Sequence, residues 1–198
     1  VSGCIQAQSH IDDLVDRAKY HGLATHMDGA RLLNAAVAQN LPPARLVKSI
    51  DTVSLCLSKG LGVPLGSVLV GPSEVVERAR RLRKMLGGGM RQAGIIAAAG
   101  RYALEHHVER LAEDHQRTQQ LATALDGLND LYFDKARVQT NMIFLQSPQM
   151  PALADYLAER GIAITAIGEN TRIVLHMHID DAALQQIIES IQTFFTAR

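Results

Sequence analysis

Twice near its beginning the chain runs through a short apolar stretch that stops at a charged residue beside a glycine. Leu23 to Met27 ends at Asp28-Gly29, and Thr52 to Leu57 ends at Ser58-Lys59-Gly60. Apolar runs of this length, bounded by turn-forming residues, read as strands. Helical patterns surround them. Ser9 to His21 is expected to be a helix, with Ser9 as N-cap, Asp12 and Asp13 in the first turn and Gly22 as the stop. A second helix is expected from Arg31 to Ala38. Pro42-Pro43 opens a short one to about Lys48, and Gly66 to Val70 is a further strand. Helix, strand, helix, strand in this order predicts an α/β layer on a mostly parallel sheet.

The pattern then changes. Ser73 to about Leu86 is a charged helix, Gly87-Gly88-Gly89 interrupts it, and Ile95 to Leu125 is a long helical region. Beyond Leu131 come strand Gln139 to Leu145, helix Met150 to Arg160, strands Ile162 to Thr165 and Arg172 to His176, and helix Asp181 to Phe195. This alternation predicts a small α+β domain. The boundary is expected near Gly127 to Leu131, which gives a large domain over 1–128 and a small C-terminal domain over 129–198.

Composition narrows the function classes. Hydrophobic residues are 47% of 198 and aromatics 4%, with no Trp, so the core must be aliphatic. Lys+Arg and Asp+Glu are both 20, and this balance, with so few aromatic faces for stacking, argues against a nucleic-acid partner. The basic run Arg78, Arg80, Arg81, Arg83 reads as a solvated helix face. Cys4 and Cys56 form no CxxC pair, so no zinc site of that type and no metal centre is expected. Cys56, inside an apolar run, reads as a small core residue. No apolar run is long enough to span a bilayer, so no membrane partner is expected, and a cytoplasmic location fits the cysteine usage.

Asp-Gly is also a common turn dipeptide, and a lysine at a strand end is ordinarily solvated. Taken singly, neither segment points to chemistry. Together they describe an acid at one strand end and a lysine at the next, in a layout where ligands bind beyond the C-terminal ends of strands. A carboxylate there can pair with a protonated pyridine nitrogen, and a lysine there can form a Schiff base.

The segments HMDGARLLNAAV and SLCLSKGLGVPLGSVLVG resemble those of the low-specificity L-threonine aldolases, which are fold-type I pyridoxal-phosphate (PLP) enzymes. RLRKMLGGGMRQAGIIAAAGRYAL and, near the end, RIVLHMHI continue the resemblance, in order, over nearly the whole chain. The resemblance implies part of an aspartate aminotransferase-like large domain followed by the small α+β domain. It implies PLP as cofactor, held by Lys59, with Asp28 on the pyridine nitrogen and Arg91 helping to balance the phosphate charge. Arg31 and Arg172 would grip the substrate carboxylate, for which a planar guanidinium fork is well shaped.

The implied reaction is retro-aldol cleavage of L-threonine or L-allo-threonine to glycine and acetaldehyde. The alternatives are a β-eliminating lyase or phenylserine-type aldolase on the same scaffold, or an inactive truncated fragment. The resemblance is to the C-terminal portion of such enzymes. The N-terminal part, with its ring-stacking histidine and phosphate contacts, is expected to be missing, and the chain starts at Val1, not Met. A homo-oligomer is implied for the complete protein. Among the histidines, His26, His106, His107, His176 and His178 receive no catalytic role from their spacing.

Overall fold

The computed structural model describes residues 3–197. Its contacts divide the chain into two compact units, one of residues 6–110 and one of residues 3–5 with 111–197.

The first unit opens with α1 (Gln8–Tyr20). Its start lies one residue before Ser9, which caps nothing. Asp12 is committed elsewhere: both its oxygens accept from the Arg45 guanidinium, at 3.2 and 2.7 Å. The helix stops as expected at Gly22, whose φ is +67°. There the Gly22 amide donates to Lys19 and the Leu23 amide to Ala18, both at 2.9 Å, which closes the last turn.

Next come β1 (His26–Asp28), α2 (Leu32–Gln39), the short α3 (Pro43–Leu46), β2 (Thr52–Cys56) and β3 (Ser67–Val70). β1 and β2 run parallel, with Asp28 opposite Ser54. β3, expected to extend a parallel sheet, instead pairs antiparallel with β2, Cys56 lying opposite Ser67. The reason is length: segment 57–66 is shorter than the roughly dozen residues a parallel crossover needs. α4 (Ser73–Met85) and α5 (Gly94–His106) complete this unit. α4 buries none of its residues.

The helical region expected from Ile95 to Leu125 is two helices. α5 ends at His106 and α6 (Leu111–Leu125) begins where the chain enters the second unit. No Gly or Pro marks this break in the sequence.

The second unit is an antiparallel sheet backed by helices. Its elements are α6, β4 (Met142–Gln146), α7 (Met150–Ala158), β5 (Ala166–Ile167), β6 (Asn170–Val174) and α8 (Asp181–Thr196), with strand order β4-β6-β5. Leu121, Leu125, Ile143, Leu145, Leu153, Leu157 and Ile191 are fully or almost fully buried in its core. The aliphatic core expected from composition is therefore concentrated here. α8 is capped by the Asp180 carboxylate, which accepts from the Ala183 amide at 2.8 Å. α6 and α8 are joined by Arg117 to Asp181 at 2.8 Å and by the Gln192 amide to the Ala124 carbonyl at 2.8 Å.

Strand limits shift where side chains take other partners. Gln139 and Thr140, expected in β4, bind the N-terminal segment instead: the Ile5 amide donates to Gln139 Oε1 at 2.8 Å and the Thr140 hydroxyl to the Gly3 carbonyl at 2.7 Å. Ile162 to Thr165 joins no ladder. The strand lies at Ala166–Ile167, because Gly168, with φ +58°, makes the turn back into β6.

Candidate active site

Because β1 and β2 are parallel and paired from His26–Thr52 to Asp28–Ser54, their C-terminal ends lie on one edge of the sheet. Asp28 is the last residue of β1, and Lys59 follows the end of β2. Both side chains are exposed. An acid and a primary amine are thus presented from adjacent strand ends, where an open α/β sheet holds its ligands.

Local sequence dictates the turn at Asp28. The Gly29 amide donates to the Ser54 carbonyl at 2.8 Å. A Cβ at residue 29 would lie 2.9 Å from that same oxygen and 3.0 Å from Val53 Cγ1, so only glycine fits. Asp28 Oδ1 accepts from the Ala30 amide at 3.1 Å, which fixes the carboxylate's direction. Arg31 follows at the N-cap of α2, half-buried, so the turn carries Asp28 and Arg31 together. His26, two residues earlier and so on the same face of the strand, bonds Thr52 Oγ1 through Nδ1 at 2.9 Å.

Lys59 sits on a closed loop. The Leu57 amide donates to Gly66 at 3.0 Å, the Val63 amide to Leu57 at 3.2 Å, and the Gly62 amide to Lys59 at 2.8 Å. Gly62 takes φ +71°, which an L side chain rarely adopts. Leu57, Leu61 and Val63 are buried, so the loop is anchored by apolar contacts while Lys59 stays accessible.

Cys56 is only partly buried and is not the core residue its apolar run suggested. Its sulfur lies 3.5 Å from Ser58 Oγ. Burial works to raise this thiol. Hydrogen bonds from Ser58 and the neighbouring Lys59 amine outweigh burial and hold it below the ordinary value. Sequence reasoning missed this polar group, and it also missed His107, whose Nδ1 lies 2.7 Å from the Leu61 carbonyl in the same loop. That contact spans 46 positions and leaves no periodic signal.

The remaining expected site residues lie apart in the chain. Arg91 is exposed in the segment between α4 and α5 and makes no hydrogen bond or ion pair among the described residues. The glycines beside it approach α4: Cβ atoms at Gly88 and Gly89 would meet Arg83 Cγ at 3.1 Å and Lys84 Cδ at 2.6 Å. Arg172 is on β6 in the second unit, opposite Phe144, and exposed. Strand alternation puts Thr171 and Ile173 inward and Arg172 outward. Among the described residues, no three His, Cys, Asp or Glu side chains cluster as a metal site. No helix among them is long and apolar enough to cross a membrane.

Comparison with known proteins identifies the family. The chain is 40% identical over 192 residues to the probable low-specificity L-threonine aldolase 2 of Arabidopsis thaliana, covering 94% of this chain and 54% of that protein. It is 37% identical over 195 residues to the low specificity L-threonine aldolase of Escherichia coli strain K12, covering 98% of this chain and 57% of that one. It therefore spans about half the length of these relatives. In structure it matches the Leishmania major threonine aldolase with a TM-score of 0.80 at 17% identity, over 96% of this chain and 57% of that chain. The fold is that of fold-type I enzymes, as the sequence predicted. A family model described as Beta-eliminating lyase matches residues 1–148, and the chain belongs to that family.

Proposed function

We propose that this chain serves a PLP-dependent retro-aldol cleavage of L-threonine and L-allo-threonine to glycine and acetaldehyde. The observation that carries the reading is the acid–amine pair, Asp28 and Lys59, at the ends of two adjacent parallel strands. The donor set suits the cofactor. Asp28 spends Oδ1 on the Ala30 amide, while Oδ2 makes no bond among the described residues and can accept from a pyridinium N–H. The Lys59 amine is exposed and can take the aldehyde. Bound there, the cofactor would supply an electron sink for the pair left at Cα.

The rest is the work of this chain's residues. Asp28 would accept from the cofactor's ring N–H and so favour its protonated form. Lys59 holds the cofactor and stands ready to move a proton at the substrate Cα. Arg31 and Arg172 take the substrate carboxylate and orient the Cα–Cβ bond for cleavage. Support for Arg172 comes from the RIVLHMHI motif alone. Arg91 balances phosphate charge; the glycines beside it, which allow close backbone approach, support this. In the balanced reaction the β-hydroxyl loses its proton, the Cα–Cβ bond breaks, the C–O becomes a carbonyl, and Cα gains a proton.

A second reading, β-elimination, is favoured by the description of the matching family. It shares Lys59, Asp28 and the carboxylate grip, and differs in product: pyruvate from a suitable β-substituted substrate in place of glycine. A cytoplasmic homo-oligomer belongs to the same proposal. Its support is the apolar surface of the first unit, where Met85, Leu86 and Ile95 are exposed. Light scattering of the purified chain tests it.

The test of function is borohydride reduction of the chain with added PLP, followed by peptide mass mapping and a threonine assay. A phosphopyridoxyl mark on Lys59 with glycine released supports the reading. A folded chain that takes no mark overturns it.

A further inference from the structure

We propose that His107 is a positioning residue for Lys59, acting through the Leu61 carbonyl. The bonds that close the Lys59 loop upon itself run between Leu57 and Gly66, Val63 and Leu57, and Gly62 and Lys59. None of them ties the loop to a helix. His107 does: Nδ1 is 2.7 Å from the carbonyl oxygen of Leu61, two residues after Lys59. A carbonyl only accepts, so Nδ1 carries the proton that makes this bond.

The imidazole is itself held at a fixed place. His107 is the C-cap of α5, its amide donating to Ala103 at 2.8 Å. The Tyr102 ring stands edge-on to it, 5.4 Å between centroids at 83°. α5 also packs on the base of the loop, where a Cβ at Gly100 would be 3.2 Å from Leu57 Cδ1. The bond thus transfers the rigidity of a thirteen-residue helix to the turn that carries the amine. A lysine needs this support: its long stem has many rotamers, so the backbone beneath must be steady for Nζ to meet a cofactor in one geometry.

The cofactor role rests on the function proposed above, so the test reads the loop and the amine as well as cofactor capture. His107→Phe keeps a ring beside Tyr102 and removes the donor. His107→Asn puts an amide N–H close to the position of Nδ1. Hydrogen exchange of the Gly62 and Val63 amides is measured in both variants, with the rate of Lys59 acylation by acetic anhydride relative to Lys84, and Lys59 marking by PLP and borohydride. In His107→Phe, exchange at Gly62 and Val63 is expected to quicken by roughly five- to tenfold, the weight of one net hydrogen bond. The relative acylation of Lys59 is expected to change, its marking by PLP to slow by a similar factor, and α8 to exchange as before. His107→Asn restores the loop and amine readouts towards the parent chain. Unchanged exchange and acylation in His107→Phe, or an Asn variant no better than Phe, overturns the proposal. Absence of any PLP mark in the parent chain would overturn the cofactor reading alone, because exchange and acylation still report whether His107 holds Lys59.

Discussion

The Gly29 amide donates to the Ser54 carbonyl at 2.8 Å, and a Cβ on Gly29 would press to 2.9 Å against the same oxygen. The turn that aims Asp28 therefore exists only because the β1 end lies nearly in contact with the β2 backbone. The two strands that carry the acid and the lysine are locked to each other at this point, and any change in their spacing moves Asp28 relative to Lys59.

Gly29→Ala follows directly. The added methyl meets backbone, which cannot swing aside as a side-chain tip does. Overpacking of this kind costs about 1–3 kcal/mol. Urea unfolding of the variant should show that loss, with slower PLP capture at Lys59. Gly94→Ala is the control: nothing lies within 4 Å of its built Cβ, so it should stay within about 0.5 kcal/mol of the parent. Equal stability of the two variants would remove the close approach from the account.

Much of the first unit was legible because strand ends announce themselves. Asp28-Gly29 and Ser58-Lys59-Gly60 follow apolar runs; the observed strand Thr52–Cys56 lies inside the expected one, and His26–Asp28 overlaps the expected Leu23–Met27 and runs one residue beyond it. What stayed hidden depends on partners distant in the chain. Ser9 looked like a cap, but Asp12 is drawn to Arg45. Gln139 and Thr140 looked like strand, but their side chains serve the segment at Gly3 and Ile5. The direction of β3 was set by a connection too short to cross over, a feature of loop length that apolar patterning does not carry. For the site, the motif strings supplied Asp28, Arg31, Lys59, Arg91 and Arg172. The supporting contacts of Cys56, Ser58 and His107 depend on how the Lys59 loop closes in space, which residue patterning does not carry.

Arg172→Lys separates a carboxylate grip from a surface charge. The substitution keeps the charge on the exposed face of β6 but loses the planar fork that makes two parallel hydrogen bonds. If Arg172 holds the substrate carboxylate, KM for threonine should rise roughly ten- to a hundredfold, the weight of one charge-assisted hydrogen bond at about 1.5–3 kcal/mol. Borohydride marking of Lys59 and the unfolding midpoint should be unchanged. Steady-state kinetics with threonine checks it, and an unaltered KM would return Arg172 to the role of a solvated strand residue.

His115 gives the second unit a pH dependence whose sign can be worked out. The imidazole lies on α6, half-buried. Burial pushes it below its ordinary value of 6.5, and the neighbouring Asp114 carboxylate opposes this only in part. In the unfolded chain His115 regains the ordinary value. As pH falls through 6.5 the unfolded state therefore takes up a proton that the folded state still refuses, and stability declines. The contribution is fully present above pH 6.5, is lost progressively below it, and stops changing once the folded imidazole has itself protonated. Melting curves between pH 7.5 and 5.5, taken on the parent chain and on His115→Gln, isolate the effect because every other group titrates in both. The parent should lose more Tm than the variant over this interval, and the His115 ring protons should titrate below pH 6.5 by NMR. Parallel Tm curves, or a ring that titrates at or above 6.5, would mean that Asp114 outweighs burial and that α6 tolerates a charged imidazole.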